Sequence, residues 1–218
     1  MTLAEKIEIP KYSLGEEIFS AISHGIGGLL SIAGLVLCVV FSAIHHDAYA
    51  VVSSVIYGTT SIILFTMSTL YHSFKINNAK RIFRIIDHCS IFLLIAGTYT
   101  PYALVALPKT VGWVIFGVNW TCAVIGIVLN AIDLKKYKKI SMILYLVMGW
   151  MIVFTFGDLV KAVDIGCIYL SLAAGILYTI GAIFYGIGKK HKYMHSIFHL
   201  FVLAASILFF FAIFLYII

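Results

Sequence analysis

Charge is what this sequence has least of. Only 11% of its 218 residues are Asp, Glu, Lys or Arg, against about 25% in a soluble domain, too few to hydrate the surface of a globular protein of this size. It also lacks anything substantial between its hydrophobic runs. There is no connection long enough to fold alone, no internal repeat and no low-complexity stretch. That excludes a soluble catalytic domain and leaves any chemistry to the hydrophobic segments. The four cysteines, Cys38, Cys89, Cys122 and Cys167, include no CxxC pair; scattered through apolar runs, they read as small reduced hydrophobes. The N-terminal stretch carries Glu5, Glu8, Glu16 and Glu17 and no small-residue cleavage site, so the expectation is that the first hydrophobic run is kept.

What is present is apolar: 62% of the residues are hydrophobic and the mean hydropathy is +1.07. The charge-poor runs fall at approximately 19–44, 48–72, 85–107, 111–132, 140–157, 163–187 and 195–218, and a run of about 20 residues crosses roughly 30 Å of hydrocarbon as a helix. The predicted fold class is therefore all-α, a polytopic membrane protein of seven transmembrane helices. Residues 1–18 form a polar N-terminal tail and 19–218 a single domain. Glycines such as Gly25, Gly28, Gly34, Gly175 and Gly181 suit close helix approach.

The basic residues set the orientation. Lys6 and Lys11, then Lys75, Lys80, Arg81 and Arg84, then Lys135, Lys136, Lys138 and Lys139, then Lys189, Lys190 and Lys192 fall on one side of a seven-span chain. Only Lys109 and Lys161 fall on the other, a split of 13 of 15. By the positive-inside rule the N-terminus is cytoplasmic and the C-terminus outside. The net charge of +6 is then accounted for by topology, and nucleic acid is not an expected partner.

Ionisable side chains within membrane spans are costly and point to function. His195 and His199 lie four apart at the head of the seventh span, on one helix face, so both imidazoles can reach one ion. His72 closes the second span and Asp87 opens the third, at the same basic boundary; Ser68 precedes His72 by one turn on the same face. Three imidazoles and a carboxylate at one depth describe a first-row metal site, and nitrogen ligands favour Zn2+ over magnesium or calcium. His72, His195 and His199 are the expected ligands. Three protein ligands leave a position open for water, which zinc acidifies. Asp87 is the expected general base and Ser68 orients a ligand or a substrate carbonyl. Each motif has a plainer reading by itself: interfacial histidines snorkelling to water, or Asp87 capping its helix or pairing with Arg84. The shared depth of three separated segments is what favours the metal. His24 falls two turns after Glu17 on one face; it is a candidate for supporting a ligand by a hydrogen bond, for lining the site or for packing between helices, and Glu17 for the same support. His88 points about 100° away from Asp87 and is expected at the interface. His45 and His46 lie on the opposite side, and His191 in a basic loop.

Taken in order, Glu16-Glu17, Ser23-His24-Gly25, Ser68-x-x-x-His72, Asp87, Thr98-Tyr99-Thr100-Pro101-Tyr102 and His195-x-x-x-His199 resemble the haemolysin III branch of the progestin and adipoQ receptor family, which includes the adiponectin receptors and is similar to the alkaline ceramidases. The resemblance runs from about Glu16 to the C-terminus. It implies a seven-helix bundle with the N-terminus inside, and zinc on the histidines matching His72, His195 and His199. It places Asp87 beside the zinc water and Ser68 near it. Receptor members hydrolyse ceramide, and bacterial members were named for haemolysis. One position departs: bacterial relatives often carry Asn four residues before the first-helix histidine, where this chain has Ser20.

The expected function is a zinc-dependent intramembrane hydrolase of a lipid amide or ester, resident in a bacterial inner membrane, with membrane lipids as partners and a ceramide-like amide as substrate. The alternatives are a membrane-disrupting haemolysin with structural zinc and a sensor or receptor of membrane lipid state. Asp87 discriminates, since a purely structural site needs no carboxylate beside an open position.

Overall fold

The computed structural model describes residues 7–187 and 191–218; Glu5, Lys6, Lys189 and Lys190 lie outside the described residues. Among those described, every regular element is helical. Helix α1 spans Leu14–His45, α2 Ala48–Ser73, α3 Asn78–Pro101, α4 Lys109–Asp133, α5 Lys138–Gly149, α6 Phe156–Ala162, α7 Ile165–Ile187 and α8 Met194–Tyr216. A π-helical turn, Tyr102–Ala106, extends α3, and a 3-10 turn, Met151–Thr155, joins α5 to α6. Read as spans, α5 and α6 form the fifth, α7 the sixth and α8 the seventh, so seven segments are long and apolar enough to cross a membrane. The chain is a multi-pass membrane protein by that measure.

Several boundaries differ from the hydrophobic runs. Helix α1 begins at Leu14 because Ser13 caps it: its hydroxyl accepts from the Glu16 N–H, and the Glu16 side chain reaches back to the Ser13 N–H, the reciprocal capping box. Residues 14–18 thus belong to the helix, not to a tail. Helix α3 begins at Asn78, whose cap Asn77 accepts from the Lys80 N–H, so Lys80, Arg81 and Arg84 are helical and Asp87 lies in the third turn. The stretch from Asp158 to Ala162, expected as a connection, is α6.

Helix α1 packs along α2, α2 on α3, and α3 on α4, while α8 closes the ring against α7 and α1. Helix α3 is the most enclosed, with 61% of its apolar window buried against 22% for α1. The outer faces carry large apolar side chains such as Leu29, Val36 and Phe154, the expected surface towards lipid. The fifth span breaks at Gly149, and the interruption is stitched by Tyr99. Its hydroxyl donates to Gly149 O at 2.7 Å and accepts from the Ile152 N–H at 3.0 Å, so backbone groups freed by the break find partners, as hydrocarbon requires. Nearby, Tyr102 pairs with Ser171 and Trp120 donates to Thr100. The Thr98–Tyr102 motif therefore ties α3 to α4, the fifth span and α7.

Close backbone approach is clearest at Gly112, where a Cβ would lie 1.8 Å from Ala103 O. The glycines expected for packing have looser surroundings: a Cβ at Gly25 would have 3.8 Å to Thr69 and one at Gly175 3.8 Å to Trp150. Periodicity identified the small residues but not which of them meet a backbone.

Candidate metal centre

Three elements converge at the basic end of the bundle: the last turn of α2, the first turns of α8 and the first turns of α1. The entry to α8 is set by Tyr193, the one non-glycine residue of positive φ among those described, at 63°. A left-handed conformation costs an L-residue roughly 1–2 kcal/mol, and a hydrogen bond holds it: the Tyr193 N–H donates to Glu16 Oε1 at 2.7 Å. Glu16 Oε2 meanwhile accepts from the Ser13 N–H and hydroxyl. One carboxylate thus fixes the starts of α1 and α8 together. The Ser20 hydroxyl lies 3.2 Å from the Ser196 hydroxyl, a further tie between these two helices.

That stitching brings ring nitrogens of His72, His195 and His199 within 4.8 Å of one another, all three side chains buried. The Nε2 atoms of His195 and His199 face each other at 3.1 Å, and the His72 ring centroid is 5.3 Å from His195 and 4.8 Å from His199. Glu17 and His24 stand directly behind these rings. Glu17 Oε2 accepts from His72 Nδ1–H at 2.7 Å, which leaves His72 Nε2 with its lone pair free. His24 Nε2 lies 2.8 Å from His199 Nδ1. With the proton on His199 Nδ1, that bond directs His199 Nε2 towards His195. A carboxylate or imidazole behind a ring in this way fixes the tautomer of a metal-binding histidine.

Buried polar atoms here with no hydrogen-bond partner among the described residues include His72 Nε2, His24 Nδ1, Ser68 Oγ and, beside His72, the Tyr71 hydroxyl. Buried nitrogens are rarely left so, and two facing imidazole nitrogens with a third orphaned beside them fit a cation. The three imidazole nitrogens form a group that could hold a metal ion.

Ser68 and Asp87 line a cavity of about 130 Å³ together with His24, His195 and His199. Its other walls are apolar, including Leu64, Ile91, Leu94, Val202 and Phe209. It extends to Gly149 and Trp150 at the break in the fifth span and to Gly175 on α7, between helices that touch only sparsely.

The expectation that His88 is interfacial does not hold. It is 9% exposed, its Nδ1–H donates to Arg84 O at 2.8 Å, Tyr185 OH lies 3.1 Å from its Nε2, and Asp87 Oδ2 is 3.5 Å from its Nδ1. The face of α3 that carries His88 is covered, by Tyr185 of α7 and by the Arg84 carbonyl, so a 100° turn from Asp87 does not reach water. Lys80, counted among the loop bases, is likewise buried; its ammonium donates to Glu17 Oε1 at 2.7 Å and to Phe74 O at 3.0 Å. His45, His46 and His191 are exposed and lie apart from the site.

Sequence reasoning missed Lys80 as the counter-ion of Glu17, and Tyr12, whose ring stacks on His195 at 4.7 Å with 9° between planes. Nothing in the local pattern marks either. The role of Glu16 was legible in Ser13-x-x-Glu16, a capping-box spacing.

A family profile described as "Haemolysin-III related" matches residues 12–210. The chain is 38% identical to "Hemolysin-3" of Bacillus cereus over 215 residues, 99% of this chain and 98% of that protein. It is 40% identical to "Hemolysin-3 homolog" of Bacillus subtilis (strain 168) over 205 residues, 94% of this chain and 96% of the relative. A more distant similarity, 27% over 198 residues, covers 84% of this chain and 79% of the "Monocyte to macrophage differentiation factor" of Homo sapiens. No solved structure matches.

Proposed function

This chain belongs to the haemolysin-III related family, and from that premise we propose that it is a zinc-dependent hydrolase acting within the membrane on a lipid amide or ester. The observation that carries the reading is the convergence of His72, His195 and His199, the last two of which line an apolar cavity together with Asp87 and Ser68. His72, His195 and His199 hold the ion. Zinc so bound supplies Lewis acidity, polarising a carbonyl and bringing the pKa of coordinated water down to about 7.

The protein's own groups do the rest. Asp87 takes the proton of the attacking water as the oxygen adds to the carbonyl carbon, and returns it to the nitrogen or oxygen that leaves. The Ser68 hydroxyl, with no partner of its own, donates to the substrate carbonyl. Glu17 and His24 hold the rings of His72 and His199, and the apolar walls take an acyl chain that enters between α5 and α7. A ceramide-like amide has the required shape, with one amide carbonyl and long tails.

The basic end is assigned to the cytoplasm and the C-terminus to the outside of a bacterial inner membrane, on the 13-of-15 split of basic residues and the positive-inside rule. A cytoplasm-active reporter should work when fused after Lys139, and an exterior-active one at Ile218; the reverse pattern at both sites overturns the orientation.

The convergence also suits a second reading. A metal held by α2 and α8 would brace helices in a lipid sensor or in a haemolysin of the kind the Bacillus relative is named for. Asp87→Asn separates the two. Turnover of a ceramide-like substrate should collapse with zinc retained if the site is hydrolytic. An unchanged rate, or zinc-loaded parent protein that hydrolyses no lipid, favours the bracing role.

A further inference from the structure

The basic end holds a second and larger cavity that the hydrolytic reading does not use. Its volume is about 520 Å³, within the range of small-ligand pockets, roughly 300–1,000 Å³. The segment from Ile7 to Ser13 lines it, and the first turns of α3 and α5, the ends of α4 and α7 and the residues before α8 supply lining residues or abut them.

Five cations line this pocket: Lys11, Arg84, Lys135, Lys138 and Lys192. Three carboxylates line it too, Glu8, Glu16 and Asp133, and each is engaged within the chain. Glu8 Oε1 accepts from Lys135 Nζ at 2.6 Å. Both oxygens of Glu16 are held by Ser13 and Tyr193. Asp133 Oδ1 accepts the backbone N–H groups of Lys135 and Lys136. The guanidinium of Arg84 donates to Glu8 O through one terminal nitrogen, while its Nε is buried with no acceptor among the described residues. Among the described lining residues five cations stand against three carboxylates, and with Lys135 paired to Glu8 the balance in this concave site is still positive, which attracts anions.

The lining is not only charged. Ile85, Ile132, Leu134 and Met142 share it, and Ile132 is 60% exposed near the end of α4, where the apolar exterior meets the basic boundary. A free inorganic anion makes no use of that apolar flank; an anionic amphiphile uses both parts. Basic pockets at a membrane boundary bind lipid headgroups in this way. We propose that this pocket seats the phosphate headgroup of an anionic phospholipid from the leaflet at the basic end of the bundle. The site stands whether or not the chain hydrolyses lipid. It also adjoins the histidine cavity: His88, Met142, Tyr145 and Tyr185 line both, so a lipid held here bears on the wall of that cavity.

The test is native mass spectrometry of the full chain in neutral detergent, titrated with phosphatidylglycerol, with phosphatidylcholine of the same acyl chains, or with inorganic phosphate. Two variants carry the same charge change, Lys11→Gln/Lys192→Gln in the pocket and Lys109→Gln/Lys161→Gln at the other end; Lys11 and Lys192 have exposed side chains, so the fold should survive. The parent and the far-end variant should retain phosphatidylglycerol over phosphatidylcholine by about ten-fold or more, and the pocket variant should lose most of that preference. Equal retention of the two lipids by the parent, or the same preference in both variants, overturns the proposal. Binding of inorganic phosphate alone, with displacement of the lipid, reassigns the pocket to a free anion and overturns the lipid as its occupant.

Discussion

At one end of the bundle Glu17, His24, His72, Lys80, Asp87, His195 and His199 crowd together between α1, α2, α3 and α8; at the other, Cys38, Tyr57, Leu107, Ile115, Ile168 and Ile213 pack as an apolar cluster. Both ends contain polar atoms, and how these are satisfied distinguishes the two. At the apolar end Tyr102 meets Ser171, and Ser42 meets Ser54 at 2.8 Å. Ser53 Oγ and, beside Met151, Asn119 Oδ1 are orphans there, but neither belongs to a group of metal-ligating side chains. At the basic end His72 Nε2, His24 Nδ1 and Ser68 Oγ are orphans close to a pair of facing imidazole nitrogens. Among the described residues, the basic end alone groups three histidines that could hold a metal ion. If the basic end carries the proposed chemistry, substitutions at the two ends should have separable effects.

The largest effect is expected from the carboxylate beside the histidines. Asp87→Asn keeps size and a hydrogen bond but cannot take a proton near neutral pH, so turnover of a ceramide-like substrate should fall by about 10²–10⁴. Zinc content and helix content should stay those of the parent. At the other end, Gly112→Ala drives a methyl into Ala103 O, a backbone atom that cannot swing away. Overpacking of this kind costs typically about 1–3 kcal/mol, seen as a lowered thermal midpoint in detergent, while each folded molecule should still hold its metal. A midpoint that is unmoved, or metal lost before unfolding, would blur the division between the ends.

Next in size is Glu17→Gln, which weakens the hold on His72 and leaves Lys80 without its counter-ion. Loss of such a supporting contact lowers metal affinity by about 10–100-fold, measurable by competition with a chelator. Unchanged affinity would mean that Glu17 serves only Lys80. The smallest effect belongs to Tyr102→Phe, which removes the bond to Ser171. A net cost of about 0.5–1.5 kcal/mol is expected, with metal affinity and turnover unaltered.

Much of this organisation was legible in the sequence, for physical reasons. Hydrocarbon thickness sets span length, so the seven spans could be counted. The distribution of lysine and arginine placed His72, His195 and the head of α3 at one boundary. Helical spacing put His195 and His199 on one face and Glu17 with His24 on another. Depth and face are local properties; neighbours are not. Lys80 looks like an ordinary loop base until Glu17, 63 positions away, is seen to bury it. His88 looks interfacial until Tyr185, 97 positions away, is seen to cover it, and Tyr12 belongs to a segment whose polarity says nothing of the ring it covers. The break in the fifth span left only a faint sign, a short charge-poor run, because the hydroxyl that stabilises it comes from Tyr99 on another helix.

The account rests on the basic end being a metal centre, and metal analysis of the purified chain tests that most directly. The parent should hold about one zinc per chain, as three imidazoles around one open position require. His72→Ala, His195→Ala and His199→Ala should each lose most of it, while Tyr102→Phe at the apolar end keeps it. Full zinc occupancy in all three histidine variants, or a parent that takes up no zinc when it is supplied, would contradict the account.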